Sequence, residues 1–338
     1  MNTDEINNVI NRFVSNKLSP TMRQRDYISS KYAELCEFLK NNCFQSGSYA
    51  RFTAGNPVHD VDVIYTVSDS SIQHDPAKII GYITSELQAA YKLSKITRVK
   101  RIYGQTHSVT IEFADSPEEF SMDVVPAIIL PRELNQFGQP IYLVPEIIRM
   151  NRHDRIRRYE AALQKPITWI KSDPRGYVQA ATELNTINPE FRHTAKLIKT
   201  WRYACKDEYE DNFCLKSFHL ELIVYEYFMR NSGTHTLDAL IFTLGALPGS
   251  IAYPQMPDRA DASRKVDDYV TDLTTEQKRL IISEQSKALT IVRSLPFSDG
   301  DQDVADKIQA MLAVRSVKQF NTMASSVRVI NPQQPWSQ

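Results

Sequence analysis

Asp60 and Asp62 stand two apart in the run DVDVIYTV at residues 60–67. On a β-strand alternate side chains share one face. Both carboxylates therefore project together, with Ile64 and Thr66 behind them, while Val61, Val63, Tyr65 and Val67 turn toward a core. Two adjacent carboxylates repel each other unless a cation lies between them. Gly47 and Ser48 precede the pair by a short helix and loop. Glycine lets the backbone approach a phosphate closely, and Ser48 adds a hydroxyl. The N–H groups of Ser48 and Tyr49 would open a short helix whose positive end attracts a triphosphate. The combination predicts a site for Mg²⁺ and a nucleotide phosphate.

Phosphoryl transfer by two metals usually takes a third carboxylate, which helps hold cations ~3.5–4 Å apart, one activating the attacking hydroxyl and one steadying the leaving group. In SMDVVP at residues 121–126, Asp123 would face the aspartate pair while Met122 and Val124 face the core. Glu112 in VTIEF competes for this place, but its longer side chain suits rigid metal geometry less well. Taken singly, an Asp-x-Asp strand is more often solvated surface, and a Gly-Ser pair is weaker still. In this order they are harder to explain structurally, because acidic groups inside Val/Ile runs cost stability unless something pairs them.

The elements that must position these groups follow from periodicity. Ile6, Val9, Ile10, Phe13 and Val14 repeat as one face of a helix. Ser19-Pro20 reads as the N-cap and first residue of a second helix carrying Ile28, Tyr32, Leu35 and Leu39. Residues 79–91 read as a helix; residues 108–114, 120–129 and 141–144 read as strands, the last after a turn at 137–140. From about residue 155 no further strand is expected. Asn188-Pro189 opens a helix with Phe191, Ala195, Ile198 and Trp201 on its core face. Leu220, Ile223, Val224 and Tyr227 mark the next. Leu237, Leu240, Ile241 and Leu244 mark a third, ended by Gly245 and Pro248. Helices over 280–295 and 304–320 close the chain before a frayed tail at 331–338. The expected division is a catalytic lobe of N-terminal helices plus mixed sheet at 1–165 and a helical lobe at 166–330.

The 338 residues suffice for two lobes. With 40 basic and 40 acidic side chains the chain lacks the basic excess of proteins that wrap long nucleic acids, so no long nucleic-acid activator is expected. No apolar run approaches the ~20 residues that span a bilayer, and the amphipathic N-terminus is no signal peptide. Cys36, Cys43, Cys205 and Cys214 form no CxxC, and a disulfide framework of four would be sparse at this length. A reducing cytosol is the simplest setting.

Gly47-Ser48, Thr53 and Asp60-Val-Asp62 together resemble the nucleotidyltransferase superfamily that includes DNA polymerase beta. The run MDVVPA at residues 122–127 is similar to the third-carboxylate motif of a narrower branch. That branch holds the oligoadenylate synthases, the animal cyclic GMP–AMP synthase and their bacterial relatives, the CD-NTases. Residues 195–201, AKLIKTW, and 215–221, LKSFHLE, resemble the same branch. The resemblance covers roughly residues 40–230. It implies an α+β, two-lobed polymerase-beta-like fold with the site in the cleft. It also implies that Lys199 and Ser217 hold the donor triphosphate and that Phe218 stacks on a nucleobase. The residues agree in part: lysine is a good point-charge partner for phosphate, and Ser217 would begin a helix. Read alone, however, Lys199 is equally a solvated helix residue, pointing away from the core face, and Ser217 a plain N-cap.

The expected reaction joins ATP and/or GTP into a cyclic di- or trinucleotide, with two Mg²⁺ ions (Mn²⁺ being the expected substitute) and release of pyrophosphate. Asp123 is well placed to take the acceptor hydroxyl's proton. The resemblance further implies a monomeric bacterial cytoplasmic enzyme of antiphage signalling with a product-sensing effector. The competing readings are a linear oligonucleotide synthase or RNA-tailing enzyme, and a regulatory module that binds nucleotide without chemistry. His193, Cys205, Cys214 and His219 offer a weak zinc set. Arg149, Arg152, His153, Arg155, Arg157 and Arg158 form a basic cluster that reads first as a solvated helix face.

Overall fold

Asn2 and Glu5 cap the first helix reciprocally, each side chain accepting the other's backbone N–H. In the computed structural model, which describes residues 1–68, 75–114, 116, 120–147 and 167–314, helix α1 (Thr3–Phe13) runs on through a π-helical turn, Val14–Leu18. Helix α2 (Met22–Phe38) starts two residues later than expected. Thr21 and Gln24 form its capping box, whereas the Ser19 hydroxyl turns back to the carbonyl of Val14. Two reciprocal side-chain bonds outweigh the Ser-Pro signal.

The sheet is built from β1 (Cys43–Ser46), β2 (Asp60–Thr66), β3 (Val99–Gly104), β4 (Val109–Phe113), β5 (Ser121–Leu134), β6 (Pro140–Ile147) and β7 (Ile167–Ser172). Its main path is β1-β2-β5-β4-β3, with β6 on the far half of β5 and β7 beyond it. β2 and β5 are parallel and every other pairing is antiparallel. β7 corrects the expectation of no strand past residue 155: the short run ITWIKS finds its partner in β6, and pairing rather than composition makes it a strand.

Helix α4 (Pro76–Leu93), opened by the Asp75 cap and Pro76, lies with α2 against one face of this sheet. Ile79, Ile83 and Leu87 from α4 and Ile28 and Leu35 from α2 bury Val61, Val63, Val109, Ile111, Met122 and Val124. The alternation read from the sequence is therefore real, and it leaves Asp60, Asp62 and Asp123 off the buried side. Further along β2 that opposite face carries Ile64, packed with Ala127, Tyr142 and Phe44.

The helical half contains α5 (Pro174–Ile187), α6 (Glu190–Tyr209), α7 (Ser217–Arg230), α8 (Thr236–Ser250), α9 (Thr275–Ser294) and α10 (Asp301–Leu312). Phe191, Ala195, Ile198 and Trp201 of α6 are all buried, as their spacing requires. Helix α1, expected beside the sheet, packs Ile6, Val9, Ile10 and Val14 into this second core instead. Gly245 and Pro248 do not end α8. The helix continues through both to Ser250, and the N–H of Ile251 still reaches the carbonyl of Leu247. A proline costs one backbone bond, and within the last turn of a helix that loss is tolerated. The basic cluster at residues 149–158, the end of the expected 304–320 helix and the tail at 331–338 lie outside the described residues.

Candidate active site

Register brings the carboxylates together. Asp62 on β2 lies directly beside Asp123 on β5, and Asp60 lies beside Ser121. In a sheet such partners point to the same face, so three acidic side chains share one patch: Asp60 exposed, Asp62 and Asp123 partly buried. The patch is electrostatically unrelieved. Burial, then Asp60 and Asp123, push the Asp62 carboxyl up to about 6 against the attraction of Arg51 and Lys199. Asp123 is also raised, chiefly by burial, although the Thr110 hydroxyl donates to it and opposes the shift. Gln105 in turn donates to Thr110 at 2.6 Å, fixing that hydroxyl. Glu112, the competitor, stands opposite Ser121 rather than Asp123 and accepts a hydrogen bond from Tyr103 at 3.1 Å.

Among the described residues no three His, Cys, Asp or Glu side chains are already gathered tightly enough to hold a metal. Mg²⁺ does not require that. It retains water and commonly binds through one or two carboxylates plus substrate phosphates. An all-oxygen pair such as Asp60 and Asp62, side by side on one strand face with the Asp62 carboxyl raised by burial and by its acidic neighbours, fits such an ion. The zinc set does not fit. Cys214 donates to the Asp211 carbonyl at 3.1 Å, Cys205 is buried, and His219 is bonded to Tyr269 at 2.8 Å.

Gly47 is where β1 turns into the short helix α3 (Gly47–Ala50). Its φ is +66°, and a Cβ there would lie 1.6 Å from an Asp62 carboxylate oxygen. Only glycine satisfies both the left-handed backbone and the closeness of the acid. Ser48 follows with its carbonyl accepting the N–H groups of Thr53 and Ala54, which curls residues 48–54 against the strand.

Lys199 corrects the sequence reading. It is not on a solvated face: it is 2% exposed and forms a salt bridge to Glu221 at 2.9 Å. Arg51 makes a second, two-pronged contact to Glu221, at 2.5 and 3.3 Å, and Thr53 donates to the same carboxylate at 2.8 Å. Two cations and a hydroxyl hold one acid, so Glu221 falls to about 2 despite its burial, while burial lowers Lys199. This buried cluster joins the two halves, since Arg51 and Thr53 follow α3 and Lys199 and Glu221 come from α6 and α7. The Arg192 side chain adds a bond to the Arg51 carbonyl at 3.0 Å. Arg51 was missed in the sequence because its one visible property is a charge; its partner lies 170 residues away.

Ser217 is the first residue of α7, preceded by Lys216 as N-cap, so it is not itself the cap. It hydrogen-bonds to Tyr203, whose hydroxyl is raised by burial and then by Asp60. That places Ser217 close to the acidic patch through one intermediary. Phe218 has the Arg51 guanidinium 4.7 Å from its ring centre and Tyr177 edge-on at 5.2 Å. It lines a cavity of about 340 Å³ with Arg51, Tyr177, Tyr225, Met256 and Arg259.

Comparison with known proteins agrees with this geometry. Residues 5–140 match the model of the Second Messenger Oligonucleotide or Dinucleotide Synthetase domain. The match covers about two fifths of the chain and takes in the strands that carry Asp60, Asp62 and Asp123. Over 188 residues it is 27% identical to the cyclic AMP-AMP-AMP synthase of Escherichia coli, an alignment spanning 56% of this chain and half the length of that relative. The fold is similar to E. coli CdnC in a complex with HORMA-deltaN, with a TM-score of 0.67 and 18% identity over 92% of this chain and 98% of that one. CdnC with ATP gives 0.67 at 16% identity, covering 91% and 98%. The Vibrio cholerae DncV cyclic AMP-GMP synthase with nonhydrolyzable GTP gives 0.56 at 15%, covering 93% and 85%. The α+β, polymerase-beta-like architecture is that of CD-NTases, with the acidic strands in the sheet half and the helical half beside them. Among the described residues no helix is long and apolar enough to cross a membrane.

Proposed function

We propose that this chain is a CD-NTase, a Mg²⁺-dependent nucleotidyltransferase that joins ATP, alone or with GTP, into a cyclic di- or trinucleotide and releases pyrophosphate. The observation that carries the reading is the side-by-side register of Asp62 and Asp123 with Asp60 one step away, on a face that the sheet core leaves free. Asp60, Asp62 and Asp123 are the residues that would hold the metals, Mn²⁺ being the expected substitute. When bound, the metals lower the pKa of the acceptor hydroxyl and neutralise charge on the departing pyrophosphate.

The chain's own residues supply the rest. Gly47 brings backbone close to the acidic patch, so the Ser48 hydroxyl and N–H sit where a donor phosphate meets the carboxylates. Arg51 and Lys199 outnumber Glu221, leaving one net positive charge beside the acids, and this favours the triphosphate on that side. Ser217 adds a hydroxyl at the α7 N-terminus. Phe218, on the wall of the cavity, offers its ring to a nucleobase. Asp123, raised in pKa and oriented by Thr110, is the group suited to take the acceptor hydroxyl's proton. The names of the relatives support ATP as donor and a trinucleotide among the products. An effector that senses the product, in an antiphage setting in the bacterial cytoplasm, completes the proposal, with a monomer as the catalytic unit.

The test is direct. Purified protein is incubated with the four nucleotides and Mg²⁺ or Mn²⁺, and the product is weighed and challenged with phosphatase and exonuclease. A resistant mass equal to a closed ring supports the proposal; a phosphatase-sensitive ladder would make it a linear synthase. Asp60→Asn with Asp62→Asn is expected to lower turnover at least about 10³-fold, roughly 4 kcal/mol of barrier. Wild-type turnover in that variant would remove the acidic patch from the mechanism.

A further inference from the structure

Cys36 and Cys43 bracket the reversal between α2 and β1, and their sulfurs lie 2.7 Å apart. That is well inside the separation of two unbonded sulfurs and a short step from the ~2.05 Å of a disulfide. The approach is built by the backbone rather than by side-chain chance. The Asn41 N–H reaches the Cys36 carbonyl at 2.7 Å, and Asn42 N–H reaches Leu39. Lys40 and Asn41 both take left-handed φ values, 53° and 59°. Cys43 is then fixed opposite Tyr65 on β2. Both cysteines are partly exposed, so a small oxidant reaches them, unlike Cys205, which is fully buried. The Tyr32 hydroxyl hydrogen-bonds with both sulfurs.

We propose that Cys36 and Cys43 are a reversible redox pair, closed to a disulfide by a peroxide-class oxidant and reopened by a dithiol. The thiolate of one cysteine attacks the peroxide oxygen, giving a sulfenic acid and releasing hydroxide. The other thiol displaces its oxygen as water, leaving the S–S bond, so that two thiols and one peroxide give one disulfide and two waters. Cys36 is the attacking sulfur. The Cys43 thiol is pushed up to about 12 by burial and by Cys36, which holds it protonated as the resolving partner. Disulfides of reducing compartments are usually of this transient, sensing kind. The bond ties the last turn of α2 to the strand that delivers Gly47, and it stands independently of which nucleotides the site uses.

The full-length protein is treated with dilute hydrogen peroxide, then mapped by mass under non-reducing conditions, with free thiols counted by alkylation. Two of the four thiols should disappear, in one peptide pair joining Cys36 to Cys43, and dithiothreitol should restore both. The oxidised protein should melt higher than the reduced one, by up to roughly 4 °C if the loop constraint is fully expressed. In Cys36→Ser and Cys43→Ser the linked peptide and the peroxide-dependent rise should both vanish. Four alkylatable thiols after treatment, sulfinic acid at either position without a crosslink, or a crosslink involving Cys205 or Cys214 would each overturn the pair. The wild-type peptide map decides this even if a serine variant folds poorly.

Discussion

Two clusters of charge face each other across the junction of the halves, and they are solved in opposite ways. On the sheet, Asp60, Asp62 and Asp123 are brought together with no ion pair to a cation among the described residues, and the Asp62 carboxyl rises to about 6. At the junction, Glu221 is more deeply buried yet falls to about 2, because Arg51, Lys199 and Thr53 all bond to it. Burial alone therefore does not set the ionisation of an acid; the completeness of its partners does. The satisfied cluster joins the halves. The unsatisfied one is poised to take up positive charge from outside, as sites that bind metal or substrate are.

The contrast can be broken from either side. Glu221→Gln leaves Arg51 and Lys199 buried without their acid, and it should cost about 3–5 kcal/mol of stability, read as a fall in denaturant midpoint. Its pH signature follows from the lowered pKa: the stabilisation is present above the ordinary glutamate range and is lost as pH falls toward 2. A variant as stable as wild type would mean that the cluster does not join the halves.

Asp62→Asn should move stability the other way. A carboxyl raised to about 6 from 3.8 penalises the folded state once it ionises. The metal-free variant should gain up to about 3 kcal/mol at pH 7–8, and the gain should fade between pH 6 and 4, where wild-type Asp62 takes up its proton. Melting across that range with a chelator present checks it, and a loss of stability at pH 7 would contradict the unrelieved patch. Mg²⁺ should raise the wild-type melting temperature more at pH 7.5 than at pH 5, because protons compete for the same oxygens.

Gly47→Ala probes the contact between the turn and the patch. The added methyl meets Asp62 and a left-handed backbone at once, so about 1–2 kcal/mol of stability should go, together with a larger loss of nucleotide turnover. The smallest effect is expected from Thr110→Val, which deletes the hydroxyl on Asp123. It should cost about 1 kcal/mol and push the Asp123 pKa further up, visible by carboxyl NMR. A downward movement would mean that Thr110 does not favour the charged form.

The acidic patch was legible because strand periodicity is local: a single residue, Val61, separates Asp60 from Asp62, and Met122 and Val124 flank Asp123 with core residues. Gly47 was legible for the same reason. The burial of Lys199 was not legible, because helix periodicity says which face a residue takes but not what waits there. The acid that buries it lies 22 residues on, and Arg51 and Thr53 come from the other half. The strand β7 escaped notice since its identity depends on β6. Helix α1 has a clear apolar stripe, but a stripe does not name the core that receives it.

Strand β5 joins both parts of the sheet. Its first half carries Asp123 between β2 and β4, and its second half pairs with β6 as far as Leu134. Fourteen residues of extended chain reach about 46 Å. Just past that far end, Asn135 grips the Asp173 carboxylate at 2.8 Å, at the cap of α5. The strand is thus a beam, anchored at one end in the acidic patch and at the other in the first helix after β7. The acidic patch and the N-terminus of α5 therefore share one continuous stretch of backbone.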